Sequence, residues 1–482
     1  MPLKEPWSDS DRYVPRTVVQ PIQRVLQHEA ASGVVMLAAA AVAILWANSP
    51  WADSYTELWH TPLRVELGDL IRLDHLSLQH WVNDALMTVF FLLVGLEIKR
   101  EAVHGELRDP RAVMLPVAAA LGGMAVPAVI YASFNRSGAG VDGWAVPMAT
   151  DIAFAVGVVT LAGKRVPLAA KMFLLTLAVA DDIGAIVVIA IFYTGALSWG
   201  WLACAAAGLA AIFALRRGDV MSLSPYLAVG AFTWLALLES GVHATLVGVA
   251  LGLLTPAWPL RSPRRFPPQA RRMVNGIEAA YYDRVLTPRE FAENEQSIAE
   301  VARLAMYSVS PLERLERALS PWVAYVVVPV FALANAGVAL TGDALSGIVT
   351  NSVTVGVMLG LIVGKTVGVF GATALAVRVG LGRLPSGTTW RHMLGLSTAA
   401  GVGFTVALFV TSLSFDSAAT ADAAKIGILV GSTVSGLGGF LLLRSVPLRP
   451  KRREQHDVAD AVGVGEEHHE PVHADPEPAG RR

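Results

Sequence analysis

Between residues 32 and 444 the sequence is a succession of apolar runs, each near the length of a bilayer crossing. A helix needs about 20 apolar residues to span the hydrocarbon core. Inside lipid every backbone N–H and C=O must find its partner within the protein, so such runs are expected to fold as packed helices. The runs are 32–49, 81–100, 112–133, 144–163, 168–193, 197–215, 223–240, 241–256, 321–341, 350–377, 390–414 and 423–444. That reading gives about twelve transmembrane helices and an all-α polytopic membrane protein. Merging the two short runs around Glu239-Ser240-Gly241 gives eleven and sends the termini to opposite sides. Composition agrees with the membrane reading: 54% of the residues are hydrophobic and 16% charged, against roughly 25% charged in soluble proteins. The net charge of −1 provides no bulk attraction to nucleic acid. The single cysteine, Cys204, excludes an intrachain disulfide.

Loop charge decides between the two counts. With twelve spans and the N-terminus inside, the outer loops hold only Arg64, Arg72, Arg136 and Lys425. Inner loops hold Lys99, Arg100, Arg108, Arg111, Lys164, Arg165, Lys171, Arg216, Arg217, the arginine-rich 261–317 stretch, Arg378, Arg383 and Arg391. This is the positive-inside pattern, and it holds on both sides of the 239–241 boundary. Both termini are therefore expected in the cytoplasm. Residues 1–28 read as a cytoplasmic N-terminal segment, 29–445 as the membrane domain and 446–482 as a disordered tail low in aromatics. The 261–318 loop reads as a cytoplasmic amphipathic insert. Its arginines suit topogenic charge or contact with anionic lipid. In LRVELGDLIRLDHLSL, partial alternation on both sides of Gly68-Asp69 predicts a small β-hairpin in the first outer loop. An isolated hairpin is marginal in water, so pairing with a second subunit is expected.

Polar residues inside the runs carry the functional signal. TLAVADDIGAIVVIAIF places Asp181 and Asp182 side by side in a span. Intramembrane acids are costly and mark ion pathways by default. Successive helical residues point about 100° apart, so the two carboxylates cannot serve one partner equally. One is expected to pair with a cation while the other faces a water-filled cavity. Lys365, in LGLIVGKTVGVFGA, is the only lysine deep in a span. PMATDIAFAVG adds Pro147, Thr150 and Asp151, and STAAGVGFTVALF adds Gly401 and Gly403 around Val402. Both stretches read as breaks in a span, tolerated only beside protein or a cavity. Asp151 suits the positive N-terminus of a half-helix and Lys365 a negative C-terminus. WVNDALMTVFFLLVGLEIKRE sets Asp84 near one end and Glu97, Lys99, Arg100 and Glu101 at the inner end. The glycines also suit close packing, and the 97–101 charges suit a solvated helix end.

The chemistry follows from oxygen ligands in a low dielectric. Two adjacent carboxylates exchange protons as a coupled unit, and their oxygens suit a hard cation such as Na+. If cation and proton need the same carboxylates, each displaces the other, and alternate exposure to the two sides yields exchange. Two enzyme readings compete. Intramembrane aspartyl proteases need GxGD, where this chain has VADD. Membrane prenyltransferases need DDxxD, where DDIGA ends in Ala185. A cation channel would place acids in rings or use a carbonyl filter. No nucleotide or prosthetic-group motif is seen, so no cofactor is expected.

The chain resembles the NhaA-type sodium/proton antiporters over nearly all of residues 28–445. The resemblance is carried by WVNDALMTVFFLLVGLEIKRE, PMATDIAFAVG, LAVADDIGAIVVIAIFYT, SGVHATLVG, WVAYVVVPVFALANAGV, VGKTVG and GVGFTVALF. It implies an inverted repeat relating spans 3–5 to 10–12, with broken spans 4 and 11 crossing. It also implies a homodimer in the bacterial cytoplasmic membrane and electrogenic, pH-regulated export of Na+ or Li+ against protons. By similarity Asp181 and Asp182 hold the cation and protons, Lys365 pairs with Asp181 or takes part in proton release, and Thr150 and Asp151 sit at the span-4 break. Glu97, Arg100, Glu101 and Glu316 match a pH-sensing cytoplasmic funnel to which Asp84 is also assigned, and His243 a conformation-linked position. One departure is LERALSPWV, where relatives often carry histidines at the places of Arg317 and Ser320. A pH response that is shifted or flattened is the expectation.

Overall fold

The computed structural model describes residues 29–63, 66–67, 71–72, 76–105, 108–218, 220, 223–259, 266–283, 288–340, 342 and 348–447. The expectations for segment 1–28 and for nearly all of the 446–482 tail lie outside these residues. The described chain is overwhelmingly helical. Helix α1 (Glu29–Ala47) is followed by the short α2 (Ala52–His60), bent 114° away from it. After the 66–72 segment come α3 (Leu78–His104), α4 (Pro110–Phe134), α5 (Ile152–Ala162), α6 (Leu168–Phe192), α7 (Trp199–Arg217), α8 (Leu223–Leu238) and α9 (Leu246–Leu254). The 261–318 loop contains α10 (Phe266–Asp283) and α11 (Pro288–Tyr307). Next in the chain are α12 (Pro311–Asn335), α13 (Ser352–Val379), α14 (Trp390–Ala399), α15 (Phe404–Ser414) and α16 (Ala418–Ser445).

Among the described residues eight helices are long and apolar enough to cross a membrane, or up to ten if each bent pair is one span. The two short runs beside residue 240 form α8 and α9, of 16 and 9 residues. Their length falls short because the chain leaves helix at Glu239–Thr245, where Gly241 takes a positive φ of 83°. Large apolar side chains such as Leu45, Val129, Leu161, Leu375 and Leu441 stand exposed along the helices, as a lipid-facing surface requires. In the first outer loop, β1 (Glu66–Leu67) pairs antiparallel with β2 (Ile71–Arg72), Glu66 opposite Arg72. The connecting residues 68–70 lie outside the described set.

Local sequence sets the ends. Ser310 accepts the Glu313 N–H at the start of α12, with Pro311 in the first helical position. Asn351 caps α13, and Gly380 ends it in the left-handed conformation. Small residues set the packing distances. A Cβ on Gly252 of α9 would lie 2.6 Å from the Gly95 carbonyl carbon of α3. On α13, a Cβ on Gly364 would lie 2.8 Å from Pro127 Cα of α4, and one on Gly360 would lie 2.6 Å from Pro147. Without a hydrophobic drive between helices in lipid, such close approach supplies the association energy. The largest buried cluster joins α1, α3, α12 and α15 through Met36, Phe91, Phe331 and Phe409, with Phe91 and Phe409 ring centroids 5.2 Å apart.

Among the described residues three helices contain one π-helical turn: Val82–Leu86 in α3, Val323–Val327 in α12 and Gly360–Gly364 in α13. Such turns insert a residue and rotate the next helical turn about the axis, and they concentrate at functional sites. The third ends immediately before Lys365.

Candidate functional site

Two helices are interrupted in the middle of the bundle, and the interruptions meet. On the way into α5 the chain forms a 3₁₀ segment (Val141–Met148) and then extended backbone through Asp151. Between α14 and α15 it breaks at 400–403, where the axis turns by 44°. Each break frees N–H and C=O groups that must be satisfied. They satisfy each other. The Asp151 N–H donates to the Val402 carbonyl at 2.7 Å, and Thr150 Oγ1 donates to the Ala400 carbonyl at 3.0 Å. Asp151 Oδ1 accepts the Phe154 N–H at 3.1 Å, capping α5. Its Oδ2 accepts both the N–H of Thr405, at 3.2 Å, and the Thr405 hydroxyl, capping α15. One carboxylate thus sits at two helix N-termini, where partial positive charge stabilises it. Glycine is needed at the crossing for space: a Cβ on Gly403 would lie 2.7 Å from the Ala149 carbonyl, and one on Gly401 would overlap the Leu361 carbonyl.

Asp181 and Asp182 lie on α6, 1% and 7% exposed. Their side chains part company as the helical angle dictates. Lys365 Nζ donates to Asp181 Oδ2 at 2.7 Å, with the lysine itself fully buried. Gly123 on α4 faces the next turn of α13, where a Cβ would lie 2.7 Å from Val369 Cγ2. The second Asp181 oxygen, Oδ1, is buried with no hydrogen-bond partner among the described residues. The ammonium therefore goes to Asp181, while at the free carbonyl end of α14 it is Thr150 and the Asp151 amide that bond.

Asp182 opens instead into a cavity of about 850 Å³. Thr150, Asp151, Asp182 and Thr405 line its deeply buried part. Glu97 and Arg100 from the end of α3, and Glu313, Glu316, Arg317 and Ser320 from the start of α12, line the more exposed part. Arg100 forms an ion pair with Glu316 across this opening. Helix α1 contributes Ser32, Gly33 and Met36. An opening lined by charged residues above two carboxylates and two hydroxyls can pass a hydrated cation and strip its water at the buried end. The oxygens there suit a hard ion.

The sequence profile described as Na+/H+ antiporter 1 matches residues 23–443. The chain belongs to that family. It is similar to a Na(+)/H(+) antiporter NhaA of Rhodopirellula baltica, 47% identical over 436 residues, which cover 90% of this chain and 96% of that protein. It is similar also to Na(+)/H(+) antiporter NhaA 2 of Sorangium cellulosum, 45% identical over 445 residues, with 92% and 93% covered. A third relative, from Frankia alni and named Na(+)/H(+) antiporter NhaA 3, is 45% identical over 427 residues, with 89% of each chain covered. All three are named as antiporters, none as an enzyme.

Within this family member, the structure gathers Thr150, Asp151, Asp181, Asp182, Lys365, Gly401 and Gly403 at the crossing, and Glu97, Arg100 and Glu316 at the cavity opening. Glu101 sits behind Arg100, 3.5 Å from its guanidinium. Asp84 and His243 do not line the cavity. Asp84 stands thirteen residues before Glu97 on α3, about 20 Å along the axis at 1.5 Å per residue. His243 lies in the 239–245 turn between α8 and α9. Thr405 was not singled out by sequence reasoning, although it stands in the GVGFTVALF stretch. Its signal was position: a hydroxyl two residues beyond the second glycine falls in the first turn of the resumed helix, where side chains meet caps.

Proposed function

We propose that this protein is a secondary antiporter that exports Na+ or Li+ in exchange for protons, electrogenically and under pH control, serving cytoplasmic pH and sodium homeostasis. The observation that carries this reading is the division of labour in the aspartate pair: Asp181 is held by Lys365, while Asp182 faces the cavity beside Thr150, Asp151 and Thr405. In the proposed cycle Asp182 binds the cation and gives up its proton to do so, and the Lys365–Asp181 pair releases a further proton as it opens, so that net charge crosses with each cation exchanged. Oxygens of Asp181, Thr150 and Thr405 complete the coordination. The half-helices α5, α14 and α15 then move relative to α3 and α12, and the site opens to the other side. Asp151 remains at the two helix N-termini, so that the crossing keeps its shape.

The reading extends to architecture. We place twelve spans across the cytoplasmic membrane of a bacterium, counting α8, α9 and the α14–α15 pair as one span each. Spans 3–5 and 10–12 form the inverted repeat, and both termini lie in the cytoplasm. Residues 29–445 are the transport domain, 261–318 a cytoplasmic insert, and 1–28 and 446–482 cytoplasmic flanks. The 66–72 strand pair is the homodimer contact. Glu97, Arg100, Glu101 and Glu316 sense pH at the funnel mouth, where Arg317 and Ser320 provide no group that titrates near neutrality. The expected activity profile is therefore shifted or flattened. A steep rise from mildly acidic to alkaline pH would refute that part.

The deciding measurement is Na+-driven pH change in proteoliposomes holding the native chain or Asp182→Asn. Native exchange with an inert, folded variant supports the reading. Equal exchange by both removes Asp182 as the seat.

A further inference from the structure

Helix α14, the first half of the broken span, is fastened to the α5 arm at both of its ends. At the break the ties are Thr150 to Ala400 and Asp151 to Val402. At the opposite end the tie is a histidine. His392 is 5% exposed, in the first turn of α14. Its Nδ1 lies 3.1 Å from the Thr389 N–H nitrogen and 2.8 Å from Thr389 Oγ1. Thr389 Oγ1 in turn accepts the His392 N–H, so the two residues form a capping box with histidine in the place usually held by Glu or Gln. The other ring nitrogen, Nε2, lies 2.9 Å from the carbonyl oxygen of Arg165, in the last turn of the arm that begins with α5. Arg165 continues the chain of contacts: its guanidinium donates to the carbonyl of Arg444 and, at 3.4 Å, to that of Val446, at the end of α16.

The partners fix the protonation of the ring. A backbone N–H only donates and a carbonyl only accepts. Nδ1 must therefore present its lone pair to Thr389, and Nε2 must carry the hydrogen toward Arg165. A second proton, on Nδ1, would meet the Thr389 N–H as donor against donor and break that bond of the cap, leaving only the Thr389 hydroxyl to accept from the ring. The dimensions match as well. Helices α5 and α14 have 11 and 10 residues, so each is about 15 Å long. Two struts of equal length, tied at both ends, form a closed frame.

We propose that His392, in its neutral form, is a positioning residue of the transport cycle: it pins α14 to the α5 arm, so that the two interrupted spans carry the site as one body, and protonation of the ring releases the pin. The inference rests on the proposed Na+/proton exchange. It touches none of the groups that bind the ion. The charged groups at this end of the packed elements are Lys164 and Arg165 after α5, Lys171 on α6, Arg378 on α13, Arg391 on α14 and Arg444 on α16. All of them stay in place in the His392 variants.

The test compares the full-length native chain with His392→Gln, which keeps an acceptor and a donor, and His392→Leu, which keeps neither. Na+ turnover, Na+ KM and the pH profile are read in proteoliposomes, and amide hydrogen exchange over 389–399 is read on the same preparations. With Leu, turnover is expected to fall about tenfold, as for one buried hydrogen bond lost in the rate-limiting motion. Its KM is expected to change little, and the 389–399 amides to exchange faster. Gln is expected to restore most of the turnover. In the native chain, protection of these amides falls on acidification; in Gln it does not, and the acidic limb of the activity profile becomes less steep. Native turnover and profile in Leu overturn the inference. So does an acidic limb in Gln identical to the native one, a comparison that stands even if Leu fails to fold. If the native chain itself does not exchange Na+ for protons, the functional reading fails, while the amide-exchange comparison still decides the pin.

Discussion

The buried pair between Lys365 and Asp181 gives a quantitative test of the site. Its atoms are 2.7 Å apart, and the side chains are 0% and 1% exposed. At an effective dielectric of 20 the attraction at that distance is about 6 kcal/mol. Desolvation of both ions offsets much of this, and replacing such a pair by neutral groups of similar size is often nearly neutral. Removing one partner is different, because it strands a buried charge at a cost of about 3–5 kcal/mol. Asp181 Oδ1 already has no hydrogen-bond partner among the described residues, so nothing nearby takes over. Lys365→Met should therefore destabilise by about 3–5 kcal/mol, whereas Asp181→Asn combined with Lys365→Met should cost less than Lys365→Met alone. Unfolding in mixed micelles with increasing SDS, followed by tryptophan fluorescence, measures the native chain, Lys365→Met, Asp181→Asn and the double variant. A double variant as unstable as the sum of the two single ones would refute the reasoning.

Other contacts give three further expected outcomes. Asp151→Ala removes the side-chain caps of α5 and α15 together, at about 0.5–2 kcal/mol each; the same SDS titration should show a loss that Asp151→Asn partly recovers. Gly252→Ala places a methyl 2.6 Å from the α3 backbone, whereas a methyl on Gly157 meets nothing within 4 Å; the first should cost about 1–3 kcal/mol, with Gly157→Ala as the silent control. The Arg100–Glu316 pair is partly exposed, with Arg100 at 42%, so Glu316→Gln should change stability by less than about 1 kcal/mol. Proteoliposome assays across pH should nonetheless show its activity profile displaced.

Legibility followed the strength of the local signal. The long apolar runs at 112–133, 168–193 and 423–444 appear as α4, α6 and α16 within a few residues, because a continuous apolar stretch in lipid has no alternative to helix. The two runs flanking Ser240 gave weaker elements. Window hydropathy counts side chains, and it is blind to a backbone that turns at Gly241 and spends seven residues outside helix. The π-turns were invisible for a related reason. Each adds one residue to a helix without a residue type that marks the insertion, so neither the polar VNDAL nor the apolar VAYVV and GLIVG announces it.

At the site, adjacency was the informative feature. Two neighbouring carboxylates on a helix diverge by about 100°, so a single lysine can neutralise only one of them. That argument needs no coordinates, and it separates the two roles in advance; which aspartate takes the lysine was implied only by the family resemblance, and the structure places Lys365 on Asp181. What it cannot reach are partnerships settled by backbone groups at the breaks. Asp151 binds the N–H of residue 405, and Thr150 the carbonyl of residue 400, some 250 positions away. Side-chain chemistry gives no hint of which distant backbone will be free. The free groups exist only because both helices break, and they are satisfied only because the breaks coincide. A polar residue beside a helix interruption is thus best read as half of a contact whose other half is another interruption. On that reading Thr405 and His392 acquire roles that their residue types alone do not confer. Each is placed in the first turn of a half-helix, where the first backbone N–H groups lack intrahelical partners.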